Sequence, residues 1–383
     1  MLLCGKTTAQ QIQPAAYQTE NYLPLLQNKN VGVFANPTSE IKGVSLIDSL
    51  LSLGIHVACV FAPEHGFRGI EDAGAKISNT TDSKTGIKII SLYGSKTKPS
   101  AEDAKNIDIF LFDLQDVGAR FYTYLSSLQR FMEAAIDLHK PLIILDRANP
   151  NGFYIDGPVL NRKYASNIGE QPIPVVYGMT IGEYAKMLLG EHWLKTKTRY
   201  NPKSVNIKII PCKNYTHGSR YVLPVKPSPN LPFMSSVYKY PSVCFFEGTV
   251  LSEGRGTKYP FEILGHPDLD SSLYSFIPEP TQGAASSKFY GKVCYGWNIH
   301  DTVFGNQLEL KYLLAAYKLF PDKQHFFIGQ ENEPTTIFFN KLAGNDKLMM
   351  QIISGKTEIQ IRKSWQKDLK KFKRIRQKYL LYP

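Results

Sequence analysis

The sequence predicts an α/β protein with a mostly parallel sheet and helices on both of its faces. In the first half of the chain, short apolar runs typical of buried strands alternate with segments of helical periodicity. Strands that alternate with helices in this way usually lie side by side in parallel. Polar and charged residues directly follow several of the apolar runs. In open α/β sheets that edge is where ligands bind, so the fold class also predicts where a site would lie.

Each predicted strand is a short apolar run that stops at a polar residue, a proline or a glycine. The first helix stops at Gly54, a typical C-terminal signal, and the next has Ser100 and two acidic residues at its positive end. The predicted strands are 31–35, 56–62, 87–91, 107–112 and 141–145, and the predicted helices are 44–53, 99–105 and 120–138.

Length and composition describe a soluble globular protein of two domains. The 383 residues exceed the roughly 250–300 at which single cores usually stop growing. The apolar share of 43% and charged share of 20% are ordinary, whereas the aromatic share of 12% is high. Aromatic residues in such number suit sugar-stacking surfaces and large cores alike.

The net charge of +12 raises the question of nucleic acid, but its distribution argues against that partner. Ten basic and two acidic residues fall between Lys356 and Lys378. Apolar residues recur in the same segment at three- and four-residue steps, which indicates one helix with a solvated basic face. Attraction to an anionic wall polymer or lipid is the weaker alternative.

Five widely spaced cysteines without a C-x-x-C motif argue against a zinc or thioredoxin-type site. No apolar run reaches the roughly 18 residues of a membrane-spanning helix. The start, Met1-Leu2-Leu3-Cys4-Gly5, is similar to the end of a bacterial lipoprotein signal. We therefore expect residues 1–19 to be a tether or signal remnant. The expected location is periplasmic or at the cell surface, with membrane contact only through a lipid on Cys4.

Polar clusters directly follow four of the predicted strands. Because the carboxyl ends of parallel strands meet at one edge, these clusters should converge on a single cleft. One such residue would mean little, since an Asp after a strand is often a helix cap. The clusters are Asn36; Glu64; Asp113 to Asp116, with Gln115; and Asp146 to Asn149, with Arg147.

Of these clusters, the stretch 61–69 most strongly indicates a catalytic residue. An apolar strand stops at Pro63, and an acid, Glu64, follows at once with His65 and Arg68 beside it. We interpret Glu64 as a catalytic carboxylate. His65 either contacts the ligand, orients Glu64 or caps the following turn.

Several reaction classes lose support because their motifs are missing. The first strand is not followed by G-x-G-x-x-G, and no G-x-x-x-x-G-K-[ST], G-x-S-x-G or H-E-x-x-H occurs. No cofactor is therefore expected. Carboxylates, arginines, amides and tyrosines remain, which suits acid/base work on a polar small molecule or glycan.

The second half adds two more constellations. The proline-rich loop 227–232, which contains Asn230, is either an interdomain linker or a binding loop. A predicted strand at 243–246 runs into Glu247, Glu253 and Arg255 among glycines, where Arg255 can hold a carboxylate with a bidentate fork or form a structural ion pair. His300 is a weaker candidate, since a lone histidine is most often structural.

These motifs resemble those of the bacterial exo-β-N-acetylmuramidase family of peptidoglycan recycling, over roughly residues 20–383. Ala148, where a proline is common, and Gly296-Trp297-Asn298 before His300 are small departures. The matching strings are 36–38 (NPT), 63–69 (PEHGFRG), 91–94 (SLYG), 113–124 (DLQDVGARFYTY), 146–150 (DRANP), 228–232 (SPNLP), 247–257 (EGTVLSEGRGT) and 379–382 (YLLY).

The resemblance implies a Rossmann-like domain over 20–222 that carries the active site, and a smaller α/β domain over 223–383 that lines the cleft. The implied reaction releases a non-reducing terminal N-acetylmuramic acid from wall fragments already stripped of peptides. The family's catalytic glutamate falls on Glu64, which we expect to act as general acid. Asp116, Glu247 and Glu253 are candidates for the second carboxylate, and the substrate's own N-acetyl group is the alternative nucleophile.

Recognition of muramic acid requires a cation for its lactyl carboxylate. Arg68 and Arg255 are the favoured contacts, ahead of Arg120 and Arg147. Of Tyr122 and Tyr124, two apart at the start of a helix, we expect at most one to touch the ligand. A non-catalytic wall-glycan binding protein is the main rival function, and a nucleotide- or cofactor-dependent enzyme is the second.

Overall fold

A computed structural model describes residues 11–63, 67, 80–329 and 333–383 of the chain. Three residues of the predicted site, Glu64, His65 and Arg68, lie outside the described residues, as does Cys4. Their proposed roles therefore stay predictions.

The strands are short, with two to seven residues each. In chain order they are β1 (Asn30–Ala35), β2 (Glu40–Ile41), β3 (Val44–Ser45), β4 (His56–Ala62), β5 (Thr80–Thr81), β6 (Lys88–Ser91), β7 (Ile109–Asp113), β8 (Leu142–Leu145), β9 (Asp156–Val159), β10 (Pro174–Val176), β11 (Ile207–Ile210), β12 (Ile263–His266), β13 (Tyr274–Phe276) and β14 (Cys294–Asn298).

Among the described residues, seven strands form the central sheet in the order β11-β8-β7-β1-β4-β6-β5. All neighbours pair in parallel except the edge strand β5, which is antiparallel to β6. The predicted α/β class with a mostly parallel sheet is confirmed. Because β1 lies at the centre, flanked by β7 and β4, the carboxyl ends of these three strands lie next to each other.

The helices cover both faces of this sheet and build most of the second half. They are α1 (Leu23–Leu26), α2 (Leu46–Ser52), α3 (Tyr124–Asp137), α4 (Ile181–Gly190), α5 (Met234–Val243), α6 (Lys311–Leu319), α7 (Phe338–Ala343), α8 (Lys347–Ile353) and α9 (Glu358–Arg376).

A cluster of phenylalanines fixes α3 on the sheet. Phe131 packs against Phe34, Phe61, Phe110 and Phe112, which come from three adjacent strands, at ring-centroid distances of 5.0, 5.6, 4.9 and 6.0 Å. Each such pair adds about 0.5–1.5 kcal/mol beyond the area that it buries. Helix α3 is thereby held at a set height above the sheet, with its first turn at the carboxyl ends of the strands.

The two halves of the chain share one hydrophobic core. One cluster of buried side chains runs from Val117 and Phe121 near the sheet edge through Phe245 to Trp365 on α9. The predicted basic helix is confirmed as α9, whose buried residues Ile361, Trp365, Leu369 and Phe372 lie on one stripe. Its lysines and arginines are mostly at the surface. The second half therefore packs directly against the sheet edge where the site is expected.

Two predicted elements are wrong. Residues 243–246 are not a strand: Val243 ends α5 and the chain continues as the 3₁₀ helix Cys244–Gly248. A four-residue apolar run buried on all sides has no periodicity that separates strand from helix. Residues 99–105 form turns rather than a helix, closed by hydrogen bonds between Ser100 and Asp103.

In the part of the chain that the structure describes, no helix has both the length and the apolar character needed to cross a membrane.

Candidate active site

A cavity of about 480 Å³ lies between the carboxyl edge of the sheet and the second half of the chain. Aromatic rings form much of its wall, and two carboxylates and a guanidinium supply its charge. The lining residues are Tyr93, Phe121, Tyr122, Thr123, Tyr124, Asn167, Ile168, Ser228, Asn230, Leu231, Tyr240, Glu247, Glu253, Arg255, Phe261 and Phe338.

The segment before α3 brings two tyrosines into this cavity. Tyr122 and Tyr124 both line it, with ring centroids 4.8 Å apart; that at most one of them touches the ligand stays a prediction. The helix begins at Tyr124, so Tyr122 precedes it and does not follow helical geometry. The Tyr122 hydroxyl donates to the Pro227 carbonyl at 2.8 Å, and Asn36 Nδ2 donates to the Tyr124 hydroxyl at 2.6 Å.

The charged wall of the cavity centres on Arg255. Its Nη2 lies 2.6 Å from Glu247 Oε1, and its Nε lies 3.1 Å from Glu253 Oε1. The guanidinium also stacks on Phe261, 5.0 Å from the ring centroid. Glu253 has a second cationic partner in Lys288, whose ammonium is 3.2 Å from Oε2. Two carboxylates and two cations are thus balanced within one wall.

The environment sets the protonation of these groups. Burial alone would raise the pKa of Glu253, but the charges of Lys288 and Arg255 outweigh it, and the pKa lies below its ordinary value. Burial would also lower the pKa of Arg255, and the charges of Glu247 and Glu253 reverse that effect. Arg255 therefore remains a cation and Glu253 an anion at neutral pH.

The Glu247 carboxylate is the more open of the two. Its side chain is 20% exposed, against 5% for Glu253. Among the described residues, the hydrogen-bond contact of its Oε2 is a long one, 3.7 Å from Cys244 Sγ. Of the two carboxylates, Glu247 is thus the more accessible from the cavity.

Polar residues from three of the four predicted clusters converge, but they form a buried floor rather than an open cleft; the fourth cluster, at Glu64, lies outside the described residues. Arg147 forms a bidentate ion pair with Asp113, at 2.5 and 2.7 Å. Gln115 donates to the Ala148 carbonyl at 2.8 Å, and Asn149 donates to the Met179 carbonyl at 2.7 Å. This floor contacts the cavity through Asn36, which positions the Tyr124 hydroxyl.

Asp116 also belongs to the floor and does not line the cavity. Its Oδ2 accepts hydrogen bonds from the Tyr177 hydroxyl and from the Gly118 amide, while Oδ1 has no partner among the described residues. Burial raises the pKa of Asp116 to about 7, against the lowering effect of these two bonds. Asp116 is therefore partly protonated at neutral pH.

Two further candidates lie elsewhere. Arg120 is 1% exposed and donates to the carbonyls of Pro158, Ile173 and Leu342 at 2.6–2.9 Å, so it holds backbone together and does not face the ligand. His300 pairs with Glu262 at 2.7 Å and lines a separate surface cavity. The structure does not bring Arg120, Arg147, Asn149 or His300 into the main cavity.

Asn230 does line the cavity, which favours the binding-loop interpretation of the proline-rich segment over a linker. Its Nδ2 donates to the Gly283 carbonyl at 2.8 Å. Sequence reasoning missed Tyr93, Tyr240, Phe261, Phe338 and Lys288. Tyr93 had a usable signal, because it comes two residues after strand β6, whereas the others stand in no recognisable motif.

Strand β4 ends at the rim of the same cavity. Ala62 pairs with Ser91, and the Leu92 amide donates to the Ala62 carbonyl at 2.9 Å. Tyr93, the next residue along, lines the cavity. Pro63 follows Ala62 and is the last described residue before Glu64.

Carboxylates, an arginine and aromatic rings around one cavity are the equipment of a glycoside hydrolase, and the comparisons with known proteins agree with this class. The chain belongs to the exo-beta-N-acetylmuramidase NamZ family. Models of the N-terminal and C-terminal domains of that family match residues 31–235 and 238–382. The domain boundary predicted at residue 222 stays a prediction.

Relatives of known sequence or structure span nearly the whole chain. The peptidoglycan beta-N-acetylmuramidase NamZ of Bacillus subtilis is 36% identical, over 94% of this chain and 89% of its own length. The crystal structure of a DUF1343 family protein from Bacteroides fragilis is similar with a TM-score of 0.87 at 42% identity, covering 97% of this chain and 99% of that one. A second such protein from the same species has a TM-score of 0.81 at 27% identity.

Proposed function

We propose that the protein is an exo-acting glycoside hydrolase that releases non-reducing terminal N-acetylmuramic acid from peptide-free peptidoglycan fragments. The observation that carries the proposal is the wall of Glu247, Arg255 and Glu253 in the cavity at the carboxyl edge of the sheet. The volume of about 480 Å³ suits a small ligand rather than a long polymer. A cavity that accepts one chain end at a time accounts for the exo mode.

Glu64 is the proposed general acid. It follows the rim residue Ala62 by two positions, a reach of at most roughly 7 Å along the chain. Glycoside cleavage needs an acid that protonates the leaving oxygen, and a glutamate in this role requires a pKa raised by burial or by a like charge nearby. The support is the position of the strand end together with membership of the family.

Glu247 is the proposed second carboxylate. It lines the cavity and is the more open of the two glutamates there, whereas Asp116 is buried in the floor. In this role Glu247 either activates water, attacks the sugar directly or orients the substrate's N-acetyl group. Asp116 then acts at a distance, by holding Tyr177 and the turn at Gly118.

Arg255 is the proposed contact for the lactyl carboxylate, together with Arg68. A guanidinium carries five N–H donors, and the bonds to Glu247 and Glu253 use two of them. The remaining donors are available to a substrate carboxylate in the cavity. This contact would separate muramic acid from N-acetylglucosamine, which has no such group.

The test is release of muramic acid from a defined muramyl-glucosamine disaccharide by the purified full-length chain. We expect both sugars to appear with time, and Glu64→Gln to abolish their release while the fold is retained. Glu102→Gln, which changes an exposed glutamate on a turn, is the matched control and should be fully active. Binding of the disaccharide by the unsubstituted protein without any cleavage would identify a glycan-binding protein and overturn the proposal.

A location in the cell envelope follows from the proposed substrate, because peptidoglycan fragments arise there. We infer a periplasmic or cell-surface protein. Detection of the chain in the cytoplasmic fraction alone would contradict this.

A further inference from the structure

The ammonium of Lys288 lies in a cage of four oxygen atoms. Three of them are backbone carbonyls of one short segment, and the fourth is a carboxylate oxygen of the same segment. The distances from Nζ are 3.1 Å to the Phe246 carbonyl, 3.0 Å to Thr249, 2.9 Å to Leu251 and 3.2 Å to Glu253 Oε2. An ammonium has only three N–H donors, so it cannot donate a separate hydrogen bond to each of four acceptors at such similar distances. The four oxygens therefore stabilise its positive charge as a group.

The caged segment, 246–253, is the one that carries the acidic wall of the cavity. Glu247 lies between two of the caging carbonyls, and Glu253 is itself a member of the cage. Carbonyl dipoles that point at one spot repel one another unless a positive charge sits there. The ammonium thus stabilises this turn of the backbone, alongside the hydrogen bonds that the Thr249 amide and hydroxyl donate to the Phe246 carbonyl. The turn sets the direction of both glutamates and of Arg255.

The residues next to Lys288 in the chain fix its position. Phe289, the next residue, has a left-handed backbone with φ of 60°, which is unfavourable for a bulky residue. Its ring packs edge-on against His266 at a centroid distance of 4.5 Å. The same stretch of chain anchors the other wall, where the Gly283 carbonyl accepts from Asn230. Strain of this kind persists only where the surroundings impose it.

We propose that Lys288 is a positioning residue that acts as a tethered monovalent cation, holding segment 246–253 in the shape that the cavity requires. Chain folding supplies this charge permanently, so the enzyme needs no bound metal ion at this position. The kinetic part of the test rests on the proposed glycosidase function. The stability part does not depend on it.

The test replaces the tethered cation by a free one. Lys288→Ala keeps the residues that supply the four oxygens and opens a space that potassium, close in radius to ammonium, can enter through the partly exposed side of the cage. We expect the variant to lose roughly 10- to 100-fold in kcat on the disaccharide, because the wall is misplaced. Potassium chloride should restore much of this loss, and lithium chloride at equal ionic strength should not. The unfolding midpoint of Lys288→Ala should also rise with potassium chloride, and it should rise less or not at all with lithium chloride.

Lys288→Met is the matched variant, because its side chain fills the stem without any charge and leaves no room for an ion. It should lose activity as Lys288→Ala does and gain nothing from potassium. Lys292→Ala removes an exposed lysine nearby and should behave like the unsubstituted protein. Full activity of Lys288→Ala, or equal effects of potassium and lithium on it, would overturn the inference. If the unsubstituted protein cleaves no disaccharide, the proposed function fails, and the potassium-dependent stability of Lys288→Ala still decides this inference.

Discussion

Arg255 contacts both glutamates of the cavity wall with two different nitrogens. A lysine at this position keeps the charge but has one nitrogen, so it cannot hold both carboxylates in the same plane. The residue thus combines two tasks, fixing Glu247 and presenting donors to the substrate. The planar guanidinium group has enough N–H donors to bind both glutamates and a substrate carboxylate at once.

We expect Arg255→Lys to lower kcat/KM on the disaccharide by tenfold or more. The loss of one charged hydrogen bond costs about 1.5–3 kcal/mol, and each 1.36 kcal/mol corresponds to a factor of about ten. Arg199→Lys, a change of an exposed arginine, is the control and should be neutral. Unchanged kinetics in Arg255→Lys would show that the fork is not used.

The buried Asp116 predicts a pH dependence of stability. Burial raises the pKa of Asp116 from 3.8 to about 7, so between these values the folded chain binds a proton that the unfolded chain has lost. Its contribution to stability is complete below pH 3.8 and is lost as the pH rises through about 7. Asp116→Asn removes this titration.

The free energy of unfolding of Asp116→Asn, relative to the unsubstituted protein, should therefore increase from pH 5 to pH 7, by at most about 1.4 kcal/mol per pH unit. Urea unfolding at several pH values measures it. Asp301→Asn, at an exposed site, should show no such trend. A difference that does not vary with pH would mean that Asp116 is ionised throughout.

Helices α4 and α9 both begin with a capping box, and the surroundings of the two boxes differ. Thr180 is fully buried, and its hydroxyl also donates to Asp146 Oδ2 at 2.7 Å. Thr357 is exposed and caps only its own helix. The same local motif thus serves the helix alone in one case and the sheet edge as well in the other.

Thr357→Ala should cost about 1 kcal/mol of unfolding free energy, the usual value for a lost cap. Thr180→Ala should cost about 2–4 kcal/mol, because a buried bond to a carboxylate is lost as well. Urea unfolding of the two variants side by side checks the comparison. Equal losses would show that the Thr180–Asp146 bond adds nothing.

Short apolar runs in the sequence were sufficient for five of the seven strands of the sheet, whereas the two edge strands, β5 and β11, were not predicted. His56–Ala62 was predicted to its exact ends, because the run stops at Pro63. Residues 243–246 were misassigned because every one of them is buried, so no alternation separates the two structures. A uniformly buried run therefore does not reveal its own element type, since strands β7 and β8 are buried as uniformly as residues 243–246.

Convergence of the polar strand ends was predictable from topology, but the use of each side chain was not. Arg147 and Arg255 are both arginines that follow apolar runs. Arg147 forms a buried ion pair with Asp113 in the floor, and Arg255 lines the cavity. The two arginines differ in the carboxylates that the fold places next to them, which the sequence does not reveal. Lys288 illustrates the same limit, since its cage is built from carbonyls that carry no sequence signal.

At the scale of the whole molecule, the last residues of the chain return to the first domain's sheet edge. The Leu381 amide donates to Glu183 on α4 at 2.8 Å. The Tyr382 hydroxyl donates to Asp146 Oδ2 at 2.5 Å and accepts from the Cys212 amide at 2.8 Å. Helix α9 is also tied to β9 through Trp365 Nε1, which donates to Asp156 at 3.0 Å. These contacts join the two halves of the chain, between which the cavity lies.

We therefore expect Tyr382→Phe to lower the free energy of unfolding by about 2–4 kcal/mol, because it removes a bond to a buried carboxylate and leaves the Cys212 amide without its partner. The transition should remain single, since α9 and the shared core still join the halves. Urea unfolding followed by both fluorescence and circular dichroism measures the loss and tests the coincidence of the two signals. Tyr290→Phe, at a ring that is 60% exposed, is the control and should be neutral. Two separate transitions in Tyr382→Phe would instead show that this one hydroxyl couples the domains, and a loss of kcat/KM without a loss of stability would show that it acts on the width of the cavity alone.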